Sequence, residues 1–519
     1  MSLSHAVRRA VQINSDGPAL RLADGDVSWA AFAERVARFA GGLHALGVAP
    51  GDRVAILALN SHRYLEFFFG AAWAGAVFVP INIRLADEEI VHWLGDSESS
   101  VLFVDAAFAD RIPSLMAALP ALRHVVYVDD GAPPHGFLAY EKWIGAASPA
   151  PDAGRQGDDL AALFYTGGTT GRSKGVMLTQ RNLAANAYNV IPELGFDRDT
   201  HWLHAGPMFH IADGVATFAI TMVAGTHSFV PRFEPVAVMQ AIERTGVTHT
   251  LMVPTMINML VNHPDLGKHR LDGLKGVLYG ASPMPAAVIA KALQVLPDCR
   301  FTQAYGQTEA SPVITLLHHE DHQVSGPRAH RLAAAGQAVL GMEVAILDPD
   351  DRPLPVGEVG EICARGENVM PGYWRQPEQT AAALRNGWLH TGDGGRMDAD
   401  GYVYVVDRVK DMIVTGGENV YSAEVENVLY RHAAVAECAV IGIPDESWGE
   451  AVHAIVRLKD GQSADADALI SHCRSLLANY KLPRSVEIRE APLPVSGAGK
   501  ILKAELRKPF WAGRSRAVN

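Results

Sequence analysis

The sequence predicts an α/β protein, with a large N-terminal domain followed by a smaller α+β C-terminal domain. Three observations carry this. Apolar runs of strand length alternate with longer runs of helical character through the first half of the chain, which implies βαβ units and largely parallel sheets with helices outside. Past residue 340 the strands shorten and Gly, Asp and Pro turns multiply. Beyond Asp407 to Asp411 a compact α/β unit begins. At 519 residues the chain exceeds one small core and divides into about two to four lobes.

The elements follow in order. Val54 to Leu59 reads as a strand, Arg63 to Ala74 as a helix, and Val77 to Ile81 and Val101 to Asp105 as strands. The longest apolar run, Phe67 to Ile81, has 15 residues. That is short of the roughly 20 a membrane-spanning helix needs, so a buried helix followed by a buried strand accounts for it. Leu160 to Phe164 is a further strand. His249 to Pro254, Leu274 to Tyr279 and Phe301 to Tyr305 repeat the strand pattern. Between the last two, Pro283 and Pro285 open a helix with the apolar stripe Ile289, Leu293 and Leu296. In the C-terminal unit Ser422 is expected to cap a helix with Glu424 and Glu426 in its first turn and Val425, Val428 and Leu429 inward. Strands over Ala439 to Ile443 and Val452 to Leu458 and an amphipathic helix near Leu469 to Leu477 complete it.

Composition narrows the function. A net charge of −12 argues against a nucleic-acid partner, which selects a basic surface. Cys299, Cys363, Cys438 and Cys473 lie far apart with no CxxC pair, so neither a zinc ribbon nor a disulfide framework is indicated. With no signal-peptide pattern at the start, the expected setting is reducing and cytoplasmic, without integral membrane association.

The segment YTGGTTGRSKG, residues 165–175, packs four glycines, three threonines, one serine and two cations into eleven positions after a buried strand. Gly167, Gly168, Gly171 and Gly175 permit close backbone approach to an anion and positive φ. Thr166, Thr169, Thr170 and Ser173 bring hydroxyls, and Arg172 and Lys174 bring charge. This suits a polyphosphate. It is not a Walker A loop, because Ser173 precedes Lys174 and Gly175 follows it. Further signals stand in the order a nucleotide site needs. Gly280-Ala281-Ser282 ends one strand, where open α/β sheets place ligands, and Tyr305-Gly306-Gln307-Thr308-Glu309 ends the next. Tyr305 offers a flat face for a purine, Thr308 a hydroxyl, and Glu309 a hard oxygen for magnesium. Asp393 in Thr391-Gly392-Asp393 offers a carboxylate to ribose hydroxyls. Asp407-Arg408-Val409-Lys410-Asp411 brings an arginine, and Ser496-Gly497-Ala498-Gly499-Lys500 presents a lysine on a glycine loop.

This order and wording resemble the adenylate-forming superfamily of acyl-CoA synthetases, luciferases and peptide-synthetase adenylation domains, from about Asp26 to Leu506. The resemblance implies an N-terminal domain, residues 1–407, of stacked α/β subdomains plus a distorted β-barrel. It also implies a hinge at 408–411 centred on Lys410, and a small mobile C-terminal domain, residues 412–519. ATP, magnesium and coenzyme A are the implied cofactor and co-substrates. By the same resemblance Thr166, Gly167, Gly168, Thr169, Thr170, Gly171 and Lys174 hold the β- and γ-phosphates. Gly280, Ala281 and Ser282 border the adenine, with Tyr305 and Gly306 beside it. Thr308 touches the α-phosphate, Thr169 and Glu309 the metal, and Asp393 and Arg408 the ribose. Lys500 bridges acyl carboxylate and α-phosphate, and Lys500, Glu309, His210 and Thr166 form the catalytic set. Gly416, Gly417 and Glu418 line the pantetheine tunnel. Gly167 departs from the serine common in the family.

The chemistry is coherent. A carboxylate is a poor acylating agent until attack on the α-phosphate of ATP gives an acyl-adenylate and pyrophosphate. Carboxylates are ionised at neutral pH, so this step needs charge neutralisation rather than a base. Where adenylation domains for amino acids place aspartate after phenylalanine, Pro207-Met208-Phe209-His210 has histidine, as acyl- and aryl-CoA ligases do. The small Ala212, Gly214 and Ala216, with His210, Val253, Ala310 and Pro312, are expected to line an acyl pocket. Hydroxycinnamate ligases tend to carry hydroxyl side chains at some of these positions, which favours a medium- or long-chain fatty acid as the small-molecule carboxylic acid. An aryl acid of feruloyl, hydroxycinnamoyl or benzoyl type is the alternative. A carrier-protein thiol or molecular oxygen as acceptor, and a non-catalytic nucleotide-binding homologue, are the competing readings. Pro444-Asp445-Glu446-Ser447-Trp448-Gly449-Glu450 favours a free-standing CoA ligase, and intact Lys500, Glu309 and Asp393 argue against the non-catalytic reading. Asp213 is expected to point away from the pocket, and His318-His319-Glu320-Asp321-His322 to be a solvated loop rather than a metal site. The oligomeric state, homodimer included, stays open.

Overall fold

The computed structural model describes residues 2–166, 173–282, 284–408, 411–415, 418–445, 448–474, 476–495 and 501–512. Two large sheets enclose a layer of helices. In the eight-stranded sheet Arg53–Leu57, Val77–Pro80, Val101–Val104 and His124–Tyr127 are parallel, and the hairpin Leu160–Thr166 and Lys174–Thr179 runs antiparallel near one edge. In the nine-stranded sheet Thr226–Phe229, His201–His204, His249–Leu251, Gly276–Gly280 and Arg300–Gly306 are successive parallel neighbours. The helices His62–Ala74, Gln180–Leu194 and Ile211–Val223 share one apolar core with residues of both sheets, among them Ile56 and Phe103 of the first and Trp202 and Leu278 of the second. Phe39 stacks on Phe103 at 4.9 Å inside it. Each sheet buries its other face under separate helices, which yields the alternating layers the strand pattern implied.

The run Phe67 to Ile81 resolves as expected. The helix His62–Ala74 is buried on nearly every side, and Gly75, left-handed at φ 78°, ends it before Val77–Pro80. Three local expectations change. The strand expected to reach Pro254 stops at Leu251, because Pro254 occupies the first helical position of Pro254–Val261. The helix after it is Ala286–Val295, with Pro285 as its N-cap. In the C-terminal unit Tyr421 is the N-cap and Ser422 the first helical residue. The Ser422 hydroxyl accepts from the Lys503 ammonium.

Met342–Leu347, Gly360–Gly366, Trp388–Met397, Leu384–Arg385 and Val403–Arg408 form a five-stranded antiparallel sheet. A bridge from Gly336 to Val403 ties it to the rim of the nine-stranded sheet. The C-terminal domain is built on the antiparallel pair Val435–Asp445 and Gly449–Leu458. Ser422–Leu429 and Ala466–Arg474 cover one face of that pair and Lys503–Trp511 the other. Among the described residues no helix is long and apolar enough to cross a membrane.

Candidate active site

The site lies at the carboxyl ends of Gly276–Gly280 and Arg300–Gly306, where an open parallel sheet leaves a crevice. Gly280 sits opposite Ala304, and a Cβ on it would lie 2.2 Å from the Ala304 carbonyl oxygen. A Cβ on Gly306 would lie 1.9 Å from the Pro312 carbonyl oxygen. Both glycines are therefore required by backbone packing at the crevice. Ala281 holds φ +68°, a conformation costly for a residue with a Cβ, directly after the strand. Ser282 is half-buried beside it.

Tyr305 and Asp393 are brought together. The Tyr305 hydroxyl donates to Asp393 Oδ2 at 2.9 Å, joining the last strand of one sheet to Trp388–Met397 of the other. Arg408 lies directly opposite Asp393 in the antiparallel register, so the two expected ribose contacts occupy one backbone pair.

The glycine segment joins two antiparallel strands, Leu160–Thr166 and Lys174–Thr179. Thr166 pairs with Lys174 across it, whereas a P-loop leads from strand to helix. Lys174 Nζ stands 4.5 Å from the centre of the Tyr373 ring. The Tyr373 hydroxyl donates to Glu309 Oε1 at 2.9 Å, and burial beside that carboxylate raises the phenol well above its ordinary pKa. Glu309 itself is buried on the short turn Thr308–Ala310, and its carbonyl accepts from Met370 N at 2.8 Å. A buried carboxylate held at one oxygen by a neutral phenol is a suitable hard ligand for magnesium. Thr308, Glu309, Tyr373, Lys174 and Thr166 thus form one linked group, continuous through Gly306 with Tyr305 and Asp393.

Tyr373 was not legible as a site residue. Its one signal was two successive aromatics after Pro371-Gly372 in an otherwise polar stretch. The same stretch clasps the 308–313 turn, since Asn368 Nδ2 donates to the carbonyls of Ala310 and Val313.

Other expectations lie outside the described residues: Gly167, Gly168, Thr169, Thr170, Gly171, Lys410, Gly416, Gly417 and Lys500, and the side chains of Arg408 and Glu418. Gly175 is described and has a different reason to be glycine. A Cβ there would meet Tyr165 at 3.2 Å and Trp374 at 3.3 Å. Tyr165 stacks on Trp93 at 4.9 Å and donates to Asp96 at 2.6 Å, so this end of the segment is a packed anchor.

The acyl wall is corrected. His210 is half-buried at the N-cap of the helix Ile211–Val223, its ring 4.6 Å from that of Phe209. In a helix, residues two apart diverge by about 200°, so Ala212 and Gly214 cannot share a face. A Cβ on Gly214 would point at Ile211 and Phe218 in the core. Ala216 and Ala310 have no exposed surface, so neither lines an open wall. Ala212, Val253 and Pro312 are half-buried and remain compatible with one. Asp213 does turn away. It is 1% exposed and pairs with His204 Nδ1, whose Nε2 meets His227 Nδ1 at 2.9 Å. The segment 318–322 is less solvated than expected. His322 is buried, in contact with the Tyr279 hydroxyl at 2.8 Å, and Asp321 accepts from Tyr402 at 2.6 Å.

Comparison with known proteins identifies the family. The family model described as AMP-binding enzyme matches residues 7–374, and that of the AMP-binding enzyme C-terminal domain matches residues 424–500. The chain is 42% identical to a feruloyl-CoA synthase from an Amycolatopsis species over 98% of both chains. It is 38% identical to a fatty acid–[acyl-carrier-protein] ligase of Streptomyces coeruleorubidus, over 93% of this chain and 91% of the other. Among solved structures, ATP-bound MatB from Rhodopseudomonas palustris superposes with a TM-score of 0.87 at 31% identity, covering 98% of this chain and 99% of that one.

Proposed function

We infer the activity from one premise: the chain belongs to the AMP-binding enzyme family. It is an AMP-forming CoA ligase, which joins a carboxylic acid to a thiol at the expense of ATP. Its acid is proposed to be aryl, of the ferulate type. The observation that carries this is the 42% identity to a feruloyl-CoA synthase along 98% of both chains, against 38% for the fatty-acid ligase. The order of substrates expected from sequence is thereby reversed. That order leaned on the absence of hydroxyl side chains from the expected wall, but Gly214 and Ala216 are spent on core packing, so the lack of a hydroxyl there does not count against a ring.

In this reading Gly280 and Gly306 admit the base, Tyr305 flanks it, and Asp393 accepts from the ribose. Thr308 contacts the α-phosphate. Lys500 neutralises charge between the attacking carboxylate and that phosphate, and Lys174 with the threonines of the glycine segment holds the departing pyrophosphate. Glu309 and Thr169 are the residues that would hold magnesium, which supplies neutralisation of phosphate charge. The carboxylate attacks phosphorus, the bond to the bridging oxygen breaks, and the pyrophosphate leaves. The coenzyme A thiolate then attacks the acyl carbon and AMP leaves with the electron pair. His210, at the N-cap of its helix, stands between acid and thiol.

The test is acid-dependent pyrophosphate release over a panel of cinnamic, benzoic and C6 to C16 fatty acids, each with and without coenzyme A. Ferulate-type acids are expected to give the highest kcat/KM and a CoA thioester. A clear preference for fatty acids would overturn the aryl assignment, and release without thioester would point to a carrier-protein acceptor.

A further inference from the structure

Behind the strand that carries Asp393 lies a donor cluster that the proposed ligase chemistry does not use. Cys363 on Gly360–Gly366 and His390 on Trp388–Met397 are adjacent in the antiparallel sheet, with Glu361 two residues before the cysteine. His390 Nδ1 lies 3.3 Å from Cys363 Sγ and 2.8 Å from Glu361 Oε2. All three donor atoms fall within 4.8 Å of one another, the one such trio among the described residues. Cys363 has no exposed surface and His390 is 9% exposed, while the Glu361 side chain is 20% exposed and opens a way in from solvent.

Around a tetrahedral zinc, donors at the usual bond lengths sit about 3.3 to 3.6 Å apart. The Cys363–His390 separation of 3.3 Å meets the short end of that range and the His390–Glu361 separation of 2.8 Å lies below it, so the Glu361 carboxylate must draw back from the imidazole to admit an ion. The second observation is on the other edge of the imidazole. His390 Nε2 is buried with no hydrogen-bond partner and points toward Asp351 Oδ1, 3.5 Å away. A carboxylate behind the outer nitrogen of a histidine is the arrangement that orients metal-bound imidazoles. Asp351 is itself fixed by Arg385 at 3.1 Å and Asn386 at 2.7 Å. Glu361 Oε1 accepts from Gly392 N at 2.9 Å, which leaves Oε2 toward the cluster. The Arg385 guanidinium is 3.6 Å from Glu361 Oε2, and its side chain is 41% exposed and can swing out.

We propose that Cys363, His390 and Glu361 form a binding site for a borderline-soft divalent cation of the zinc class, with Asp351 orienting the imidazole. Sulfur with imidazole selects such ions over magnesium, so this site is chemically separate from the one assigned to Glu309. A cysteine thiol ordinarily carries its proton at neutral pH and gives it up on binding a metal. Binding forms a metal–sulfur bond and releases one proton to the buffer. Because Glu361 also holds Gly392, occupancy stiffens the strand leading into Asp393.

The test uses the full chain, stripped with a chelator and titrated with Co²⁺ in excess magnesium. One equivalent is expected to give a thiolate-to-cobalt charge-transfer band in the near ultraviolet, to be displaced by one equivalent of Zn²⁺, and to release one proton. Cys363→Ser removes the band. Glu361→Gln, which preserves shape and can still accept from Gly392, keeps the fold and weakens binding at least tenfold. No band at one equivalent, a band that persists in Cys363→Ser, or unchanged affinity in Glu361→Gln would each overturn the proposal.

Discussion

Tyr373 is where packing and chemistry meet most closely. Its ring lies under Lys174 and its hydroxyl holds Glu309, so one side chain sets the spacing between Lys174 and the candidate metal ligand. Replacing it by phenylalanine keeps the ring and deletes only the hydrogen bond. Leaving a buried carboxylate without that donor costs about 1 to 3 kcal/mol, of which the part expressed in the transition state lowers turnover. Tyr373→Phe is expected to reduce kcat/KM for ATP about tenfold with little change in the melting midpoint. Pyrophosphate-release kinetics at varied magnesium would check it, and unchanged kinetics would leave Tyr373 a packing residue only. Gly280 and Gly306 make the complementary case. Each is held by a neighbouring carbonyl oxygen rather than by a side chain, so the crevice floor cannot yield to a substituent.

Ile211–Val223 shows how an element hides its own logic. Its sequence displays small residues at 212, 214 and 216, but only the helical turn decides which of them share a side. Asp213 was legible as an oddity, yet its partner His204 lies nine positions back on a strand, and nothing local announces the pair. Gly175 misled for the same reason, because the rings of Tyr165 and Trp374 that fill its missing side chain come from two different segments. By contrast the strand and helix alternation and the order of nucleotide motifs were readable, since each is written in consecutive residues. Asp213 and His204 anchor the helix that presents His210. Asp213→Ala leaves a buried imidazole chain without its carboxylate and is expected to cost about 3 to 5 kcal/mol. A urea unfolding curve measures this. A stable variant with an altered KM for the acid would instead return Asp213 to the pocket.

For the molecule as a whole, we propose that the two half-reactions use Lys500 and then the pantetheine-tunnel segment of the C-terminal domain in turn, with Lys410 as the hinge. Proline fixes φ and removes a donor, so Lys410→Pro freezes whichever orientation it permits. It is expected to retain acid-dependent pyrophosphate exchange and to lose thioester formation by about two orders of magnitude, of the size an effective-molarity loss produces. Lys500→Ala is expected to do the reverse, losing adenylation and sparing thioester formation from supplied acyl-adenylate. Equal loss in both steps for both variants would remove the rotation from the account.

Stability of the whole chain has a pH dependence of its own, because several histidines are buried as neutral rings in or against the nine-stranded sheet. Burial lowers His201, His249 and His322 to about 4 each. His227, enclosed beside His204, is lowered further. The unfolded value is about 6.5, so between about pH 6.5 and 4 the unfolded chain binds more protons than the native one. The stabilisation is therefore fully present above pH 6.5 and is lost as pH falls through that window. Each histidine contributes up to about 1.4 kcal/mol per pH unit. Ion pairing holds carboxylates such as Glu141 and Asp351 below their ordinary values, so they act in the same direction only at the acid end, once pH falls into the ordinary carboxylate range. Histidine linkage thus dominates from pH 6.5 to 5. The urea midpoint is expected to fall steeply across that range and to be nearly flat from pH 7 to 8. His322→Gln retains an acceptor for the Tyr279 hydroxyl while deleting the titration, so its midpoint is expected to fall less steeply, by about one proton's slope. An identical slope in that variant would mean that His322 reaches solvent before the native structure is lost.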